Sequence, residues 1–548
     1  MAQMTGGEAL AKSLYREGVR VIFGLPGVQL YQLLDGLAKE PGIRFINTRH
    51  EQATTYMADG YSRSGGGIGT ALVVPGPGLQ NASAGIGTAY AASSPILVVS
   101  GQIERDHIGK EGGKLHEIKD LSSTISSVTK HNELILDPKR IPQALHKAFA
   151  ELNTGRPRPV EIEIPPETLA EVSDINLLEP AIHTRPGASK SDLVKCVELI
   201  MDSKKPIIWA GGGVISSNAS TELTALAEYI QSPVLCTAEG KGSISDRNPL
   251  SIGSYRFKND TFFEKNMPEY DLVIAIGSRI QYPEYLQGRK VLQIDIDQEE
   301  LGRNYKNTEG VVGDAKKTIS GILEMLKTQS EPRDDDTAAI KSLRQDRYNP
   351  STILEPQESY VKAIRSAIPD DGILISGMNQ IGYYSRNKYD VYNPRTYITS
   401  SYYGNLGYAY PTALGAKVAQ PDKAVVAISG DGGFMFNVQE LSTAVRHKIN
   451  AVAVVFNDNA YGNVKRDQIN LFDGREYGAD VTNPDFMKLA DAFGVHGMRV
   501  ESGDPNELEK CLKSAIDLDT PVLIEVPVSE MPNPFGAGIF SYIKKTAK

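Results

Sequence analysis

The chain has 548 residues, 41% of them hydrophobic and 23% charged, with a net charge of −9. That length predicts roughly three or four globular domains, and charges of both signs are mixed along it, which excludes the basic face a nucleic-acid binder needs. No apolar run approaches the ~18 residues of a membrane span, so a membrane partner is excluded as well.

In chain order, "MAQMTGGEALAKSLYREG" reads as a helix and carries no signal or transit pattern. Up to residue 165, "VIFGLPG", "IRFINT", "TALVVPGPG" and "PILVVSG" read as buried strands, with "QATTYMADGYSR" and "LQNASAGIGTAYAA" as helices between them. Unbroken apolar strands alternating with helices predict a parallel sheet covered on both faces. "PPETLAEVSDINLLEPAIHTRPGAS" is aperiodic and rich in proline and acid, and reads as a linker. From 189 to 328 the alternation resumes in "PIIWAGGGV", "SPVLCTAEG", "YDLVIAIGS" and "KVLQIDID". "QSEPRDDDTAAIKSLRQDRYNPST" reads as a second linker. A third block, 353 to 548, contains "GILISGMNQ", "AVVAISGDGG", "AVAVVFNDN" and "TPVLIEVPV". The expected fold class is α/β, with three doubly wound parallel-sheet domains spanning 1–165, 189–328 and 353–548. Cys196, Cys236 and Cys511 form no metal-like or redox-like pattern. They read as thiols in a reducing compartment, and the expected location is cytoplasmic.

The chemistry concentrates where two strands of the third block end. "AVVAIS" runs into Gly430-Asp431-Gly432, and "NVQELSTAVRHK" reads as the helix that follows. "AVAVVF" ends at Asn457-Asp458-Asn459. Ligands of open parallel sheets bind outside the carboxyl ends of the strands. Flanking glycines such as Gly432 and Gly433 allow close backbone approach, and a helix start there offers free N–H groups to a phosphate. A carboxylate with an amide oxygen suits a hard divalent cation shared with phosphate oxygens. Taken alone, Asp431 reads more readily as a helix cap.

The spacing resolves this. Residues 433 to 456, 24 in all, separate the glycine-aspartate-glycine from Asn457. This resembles the signature of thiamine diphosphate enzymes, and it implies Mg²⁺ held by Asp431, Asn457 and the backbone carbonyl of Asn459. Asp458 departs from the second asparagine many members carry. Thiamine chemistry also needs a carboxyl that shares a proton with the pyrimidine ring. "RHEQATTYMADGYSR" resembles the segment that supplies it, which makes Glu51 the activating acid rather than an ordinary first-turn glutamate complementing a helix dipole.

Further segments resemble the acetolactate synthase-like members of this superfamily. "SSYYGNLGYAYPTALGAKVA" implies Leu406 as the wedge that bends the cofactor and the Gly404 carbonyl as acceptor for its amino group. "GLPG", with Pro26 and Gly27, and "PGPGLQN" resemble turns lining the pyrimidine side. "GMNQIG" resembles a diphosphate-side loop and adds Asn379 and Gln380. "VTKHN", "IDID", "VGDA", "NPDFMKLADAFG" and "MPNPF" extend the resemblance over nearly the whole chain. It implies pyrimidine-binding, central and diphosphate-binding domains, and a homodimer or homotetramer in which Glu51 of one subunit faces Asp431 of another.

Departures bear on substrate choice. Leu115-His116-Glu117 stands where the family often has phenylalanine-glutamine-glutamate, so His116 is a candidate acid or base, or a surface residue. Asp467 stands where anabolic acetolactate synthases carry tryptophan. Tyr402 and Tyr403 replace small residues. "GGGV" and "IDID" are compatible with a nucleotide in the central domain, but glycine triplets are weak signals. The family's glycine-methionine-histidine-glycine reads "IGSY" here, and the balance falls against FAD. The expected activity is a thiamine diphosphate- and Mg²⁺-dependent lyase or carboligase on 2-ketoacids. The alternatives are a 2-hydroxyacyl-CoA lyase or oxalyl-CoA decarboxylase acting on an acyl-CoA substrate, a flavin-dependent pyruvate oxidase, and a non-catalytic cofactor-binding paralogue.

Overall fold

The computed structural model describes residues 2–254, 261–347 and 353–535. It contains three six-stranded sheets whose strands all pair in parallel, plus one small two-stranded sheet. In spatial order the N-terminal sheet runs Arg44–Asn47, Val21–Gly24, Gly69–Val73, Ile96–Gly101, Val160–Ile164, His131–Leu134. The central sheet runs Ser251–Ser254, Val234–Cys236, Pro206–Ala210, Leu272–Ile276, Lys290–Asp295, Thr308–Val312. The C-terminal sheet runs Tyr397–Thr399, Ile373–Ser376, Val425–Gly430, Val452–Asn457, Val522–Pro527, His496–Arg499. The inner strands are buried along almost their whole length because helices cover both faces, which is why they read as unbroken apolar runs. Among the described residues no helix is long and apolar enough to cross a membrane.

Strand order places the sites. In the C-terminal sheet the chain goes from Ile373–Ser376 to the edge strand Tyr397–Thr399, then returns to Val425–Gly430 on the other side. The order reverses there, which opens a crevice at the carboxyl ends of Ile373–Ser376 and Val425–Gly430. Val425–Gly430 pairs with Val452–Asn457 so that Gly430 lies opposite Phe456. The next residues, Asp431 and Asn457, therefore emerge side by side.

The structure departs from the sequence reading at four places. The chain opens with a strand, Ala2–Thr5, that pairs antiparallel with Val172–Ile175, and the helix begins only at Gly6. Val172–Ile175 belongs to the first stretch read as a linker, which also holds the short helix Pro166–Ala170. The second such stretch forms the helix Thr337–Arg347. The helix expected over 437–448 is broken: a 3₁₀ turn, Met435–Glu440, precedes the helix Leu441–His447, and Asn437 sits at non-helical φ −131°. The Asn437 amide explains the break, since it donates to the Gly407 carbonyl at 2.8 Å and to the Gln52 side chain at 3.1 Å. Tyr255, in the "IGSY" stretch, lies outside the described residues.

Candidate active site

At the crevice, Asp431 begins the helical turn Asp431–Phe434 and is almost fully buried. Burial pushes its pKa up, opposed chiefly by a hydrogen bond from Asn483. Asp458 follows Asn457, and its pKa is also pushed up, first by burial and then by the nearby charge of Asp431. Two carboxylates held this close repel each other, and a divalent cation between them would relieve both.

Asn457 is oriented by a partner. Its side-chain nitrogen donates to Glu525 Oε1 at 2.8 Å, and Arg499 Nε holds Glu525 Oε2 at 2.8 Å. The Asn457 oxygen is thereby turned toward Asp431. Asn483 Nδ2 stands at the convergence point, 2.5 Å from Asp431 Oδ2, 3.0 Å from Asn457 Oδ1 and 3.2 Å from Asn459 Oδ1. The Asn459 carbonyl accepts from the Val481 N–H at 3.0 Å and keeps one lone pair. Among the described residues no group of three or more His, Cys, Asp or Glu forms a metal site. The donor set here is instead two carboxylates with amide oxygens, the oxygen-only chemistry that suits Mg²⁺.

The crevice wall completes a cradle. Gly432 has no room for a side chain, since a Cβ would lie 2.6 Å from the Tyr461 ring, and a Cβ on Gly433 would lie 3.2 Å from Ser429 Oγ. Backbone can approach a phosphate there. Leu406 stands across from Gly433, its Cδ2 3.8 Å from that same Cβ position, and Gly404 takes φ +65° in the turn before it. Met378, Asn379 and Gln380 form the opposite lip. The Asn379 side chain is engaged locally: it caps the helix Gln380–Lys388 by accepting from the Gly382 N–H at 2.9 Å, and it donates to the Ile428 carbonyl. Gln380 donates to Asn463, while its buried Oε1 has no partner and faces the cleft as an orphan acceptor.

Glu51 belongs to a different surface. It is the first residue of the helix Glu51–Tyr61, is 8% exposed, and accepts from Asn81 Nδ2 at 3.0 Å. Its Oε1 lies 3.7 Å from where a Gly78 Cβ would sit. The same turn meets His116: a Cβ on Gly76 would lie 2.3 Å from the His116 carbonyl oxygen. His116 has φ +69°, and its buried Nδ1 has no partner. Gln29 donates to the Leu115 carbonyl at 3.2 Å and ties this loop to the "GLPG" turn of Pro26 and Gly27, where a Cβ on Gly27 would strike Val74. Glu51, His116, Pro26 and Gly27 thus gather at the carboxyl end of the N-terminal sheet. Asp431, Asn457, Asn459, Gly404, Leu406, Gly432, Gly433, Asn379 and Gln380 gather at that of the C-terminal sheet. Among the described residues, none of the N-terminal ones lines the C-terminal crevice.

Asn483, Asn81, Glu525 and Asp458's carboxylate are site groups that the motif reading did not assign. Asn483 stands in "NPDFMKLADAFG", and Asn81 closes "PGPGLQN". Both are visible in the sequence as polar residues in matched segments, without a signal for what they touch.

A second cleft opens at the carboxyl ends of the central sheet. It is lined by Gly211, Gly212, Gly213, Asp295 and Arg156, with Arg156 paired to Glu300. Burial pushes the Asp295 carboxyl up to about 6. Glycine turns and an acid thus meet there at the strand ends.

Comparison with known proteins agrees with this geometry. Three family models match: the N-terminal TPP binding domain of thiamine pyrophosphate enzymes over residues 4–124, their central domain over 193–322, and their C-terminal TPP binding domain over 377–526. The chain is 34% identical to a probable acetolactate synthase large subunit of Methanococcus aeolicus, covering 96% of this chain and 92% of that protein. It is 32% identical to the acetolactate synthase large subunit of Haemophilus influenzae, covering 97% and 95%. It is also 31% identical to a probable 2-ketoarginine decarboxylase of Pseudomonas aeruginosa, covering 95% and 94%. The chain belongs to the thiamine pyrophosphate enzymes, with acetolactate synthase large subunits among its relatives, and is a thiamine diphosphate-dependent enzyme that forms or cleaves carbon–carbon bonds.

Proposed function

We propose that this enzyme is Mg²⁺-dependent and acts on a 2-ketoacid, releasing carbon dioxide and passing the remaining carbons to an acceptor in the manner of an acetolactate synthase. The observation that carries the reading is the convergence of Asp431 and Asn457 side-chain oxygens on Asn483, with the Asp458 carboxyl close to Asp431, beside the glycine cradle. Asp431, Asn457 and the Asn459 carbonyl hold the cation, and Gly432 and Gly433 let backbone N–H groups reach the diphosphate. Bound there, thiamine diphosphate supplies a thiazolium ring as an electron sink for the bond that breaks. Leu406 would pack against the cofactor, and the Gly404 carbonyl would accept from its amino group. Asn379 and Gln380 close the diphosphate side, Gln380 with its unpartnered oxygen.

Glu51 would share a proton with the pyrimidine nitrogen, and Asn81 fixes its carboxyl by hydrogen bonding. Pro26 and Gly27 line the pyrimidine side. His116, with a free buried Nδ1, moves a proton at the reacting carbon. Because no N-terminal residue among those described lines the C-terminal crevice, the site would be complete only when a second copy of the chain supplies Glu51. A homodimer is the minimum active unit, and a tetramer is two such dimers.

Purified protein incubated with pyruvate tests this reading. Carbon dioxide release that requires both thiamine diphosphate and Mg²⁺, and that chelation abolishes, supports it. Release from an acyl-CoA but not from any 2-ketoacid would replace it with the acyl-CoA lyase reading.

A further inference from the structure

We propose that Glu440 is a positioning residue for Glu51. The inference rests on the role of Glu51 given above and adds a residue from the far end of the chain. Glu440 is fully buried. Its Oε1 accepts from the backbone N–H groups of Arg49 and His50, each at 3.1 Å. Its Oε2 accepts from the Arg49 N–H at 3.2 Å and from the Thr443 hydroxyl at 2.6 Å. The two backbone groups it holds immediately precede Glu51.

The turn needs such a hold. The first N–H groups of a helix have no partner within it, and a side chain normally satisfies them locally. Here His50 accepts from the Gln52 N–H through Nδ1, which leaves the N–H groups of Arg49 and His50 without a local acceptor. A carboxylate 390 residues away in sequence takes them. The segment around Glu440 grips the same turn on both sides: Asn437 donates to Gln52 at 3.1 Å, and Arg446 Nε donates to Asn47 at 3.0 Å. Asn47, Arg49, His50 and Gln52 are thereby held on both sides of Glu51. Burying a carboxyl is costly unless its hydrogen bonds compensate. Burial pushes the Glu440 carboxyl up to about 7 against the pull of Thr443, Arg49 and His50. A glutamine could accept from the same two N–H groups without that cost. An alanine could not.

The effect is geometric. Proton sharing by Glu51 requires its carboxyl at hydrogen-bond distance, and supporting contacts must hold such a group within about 0.5 Å. Without Glu440 the turn relaxes while the metal and diphosphate cradle stay intact, so proton transfer suffers before cofactor binding does.

Two measurements on the full-length protein test the proposal. Backbone amide exchange at Arg49 and His50 is read without cofactor. Exchange of the thiazolium proton is read on protein loaded with thiamine diphosphate and Mg²⁺. Glu440→Ala is expected to lose amide protection at both positions and to slow thiazolium exchange on the order of tenfold to a hundredfold, with cofactor affinity little changed. Glu440→Gln is expected to restore both. If Glu440→Ala does not fold, Glu440→Asp, which draws the carboxyl back by one methylene, is read for the same pair of effects. Lost amide protection with wild-type thiazolium exchange overturns the proposal, as does unchanged protection. If Glu51→Gln itself leaves thiazolium exchange unchanged, the role of Glu51 fails, and this inference with it. If Glu51→Gln slows exchange and the Glu440 variants do not, only the positioning role fails.

Discussion

Asn483 Nδ2 lies 2.5 Å from Asp431 Oδ2, at the point where the oxygens of Asn457 and Asn459 also converge. This amide group thus occupies the Asp431 and Asn457 oxygens that the proposed cation would hold. Mg²⁺ binds oxygen at about 2.0–2.1 Å, so the proposed cation would expel the amide from this position. Asn483→Ala is therefore expected to lower the melting temperature of the cation-free protein, by the equivalent of about 1–3 kcal/mol for groups left unpaired. It should barely change that of the protein saturated with Mg²⁺ and thiamine diphosphate. Thermal unfolding in chelator and in saturating ligand measures both, and equal losses in the two conditions would contradict the relationship.

A second expectation concerns pH. Glu161 is fully buried in the strand Val160–Ile164, and neither carboxyl oxygen has a hydrogen-bond partner. Burial, reinforced by Glu163, raises its pKa well above the ordinary value of 4.5. A group raised on folding contributes stability that is fully present below 4.5 and is lost as pH climbs through the folded value. Stability should fall across that window by up to about 1.4 kcal/mol per pH unit for the one proton. Glu161→Gln should flatten the dependence, as denaturant titrations at a series of pH values would reveal. An unchanged slope would mean that Glu161 ionises normally.

The proposed two-subunit site makes a third prediction. Glu51→Gln and Asp431→Asn homodimers should each be nearly inactive. When the two are mixed and allowed to exchange subunits, half the dimers are hybrids with one intact site, so about a quarter of wild-type activity should return. No return of activity after exchange, verified by mass of the hybrids, would place Glu51 and Asp431 of one chain in the same site.

Much of this was legible in the sequence, for definite reasons. The buried strands are continuous apolar runs, and parallel pairing puts Asp431 and Asn457 at adjacent strand ends, so a local motif reported a real juxtaposition. Tertiary choices were not legible. Glu440 sits in "NVQELSTAVRHK", where helical periodicity suggests one continuous helix, yet Asn437 leaves the helix to bond Gly407 and Gln52, and Glu440 turns in toward the Arg49–His50 turn. Asn483 and Asn81 are polar residues in matched segments whose partners lie 52 and 30 residues away. "VEIEI" alternates as a half-exposed strand would, but both of its glutamates are buried. The strand Val172–Ile175 hid in a stretch read as linker because only Ile175 of its four residues is buried, so it carries no apolar period.

The central claim is that Glu51 activates the cofactor, and thiazolium proton exchange in a Glu51→Gln variant tests it most directly. The account predicts thiamine diphosphate and Mg²⁺ bound with near wild-type affinity and exchange slowed by about 100-fold or more, the scale of a lost acid–base group. Exchange at the wild-type rate, with the cofactor fully bound, would contradict it.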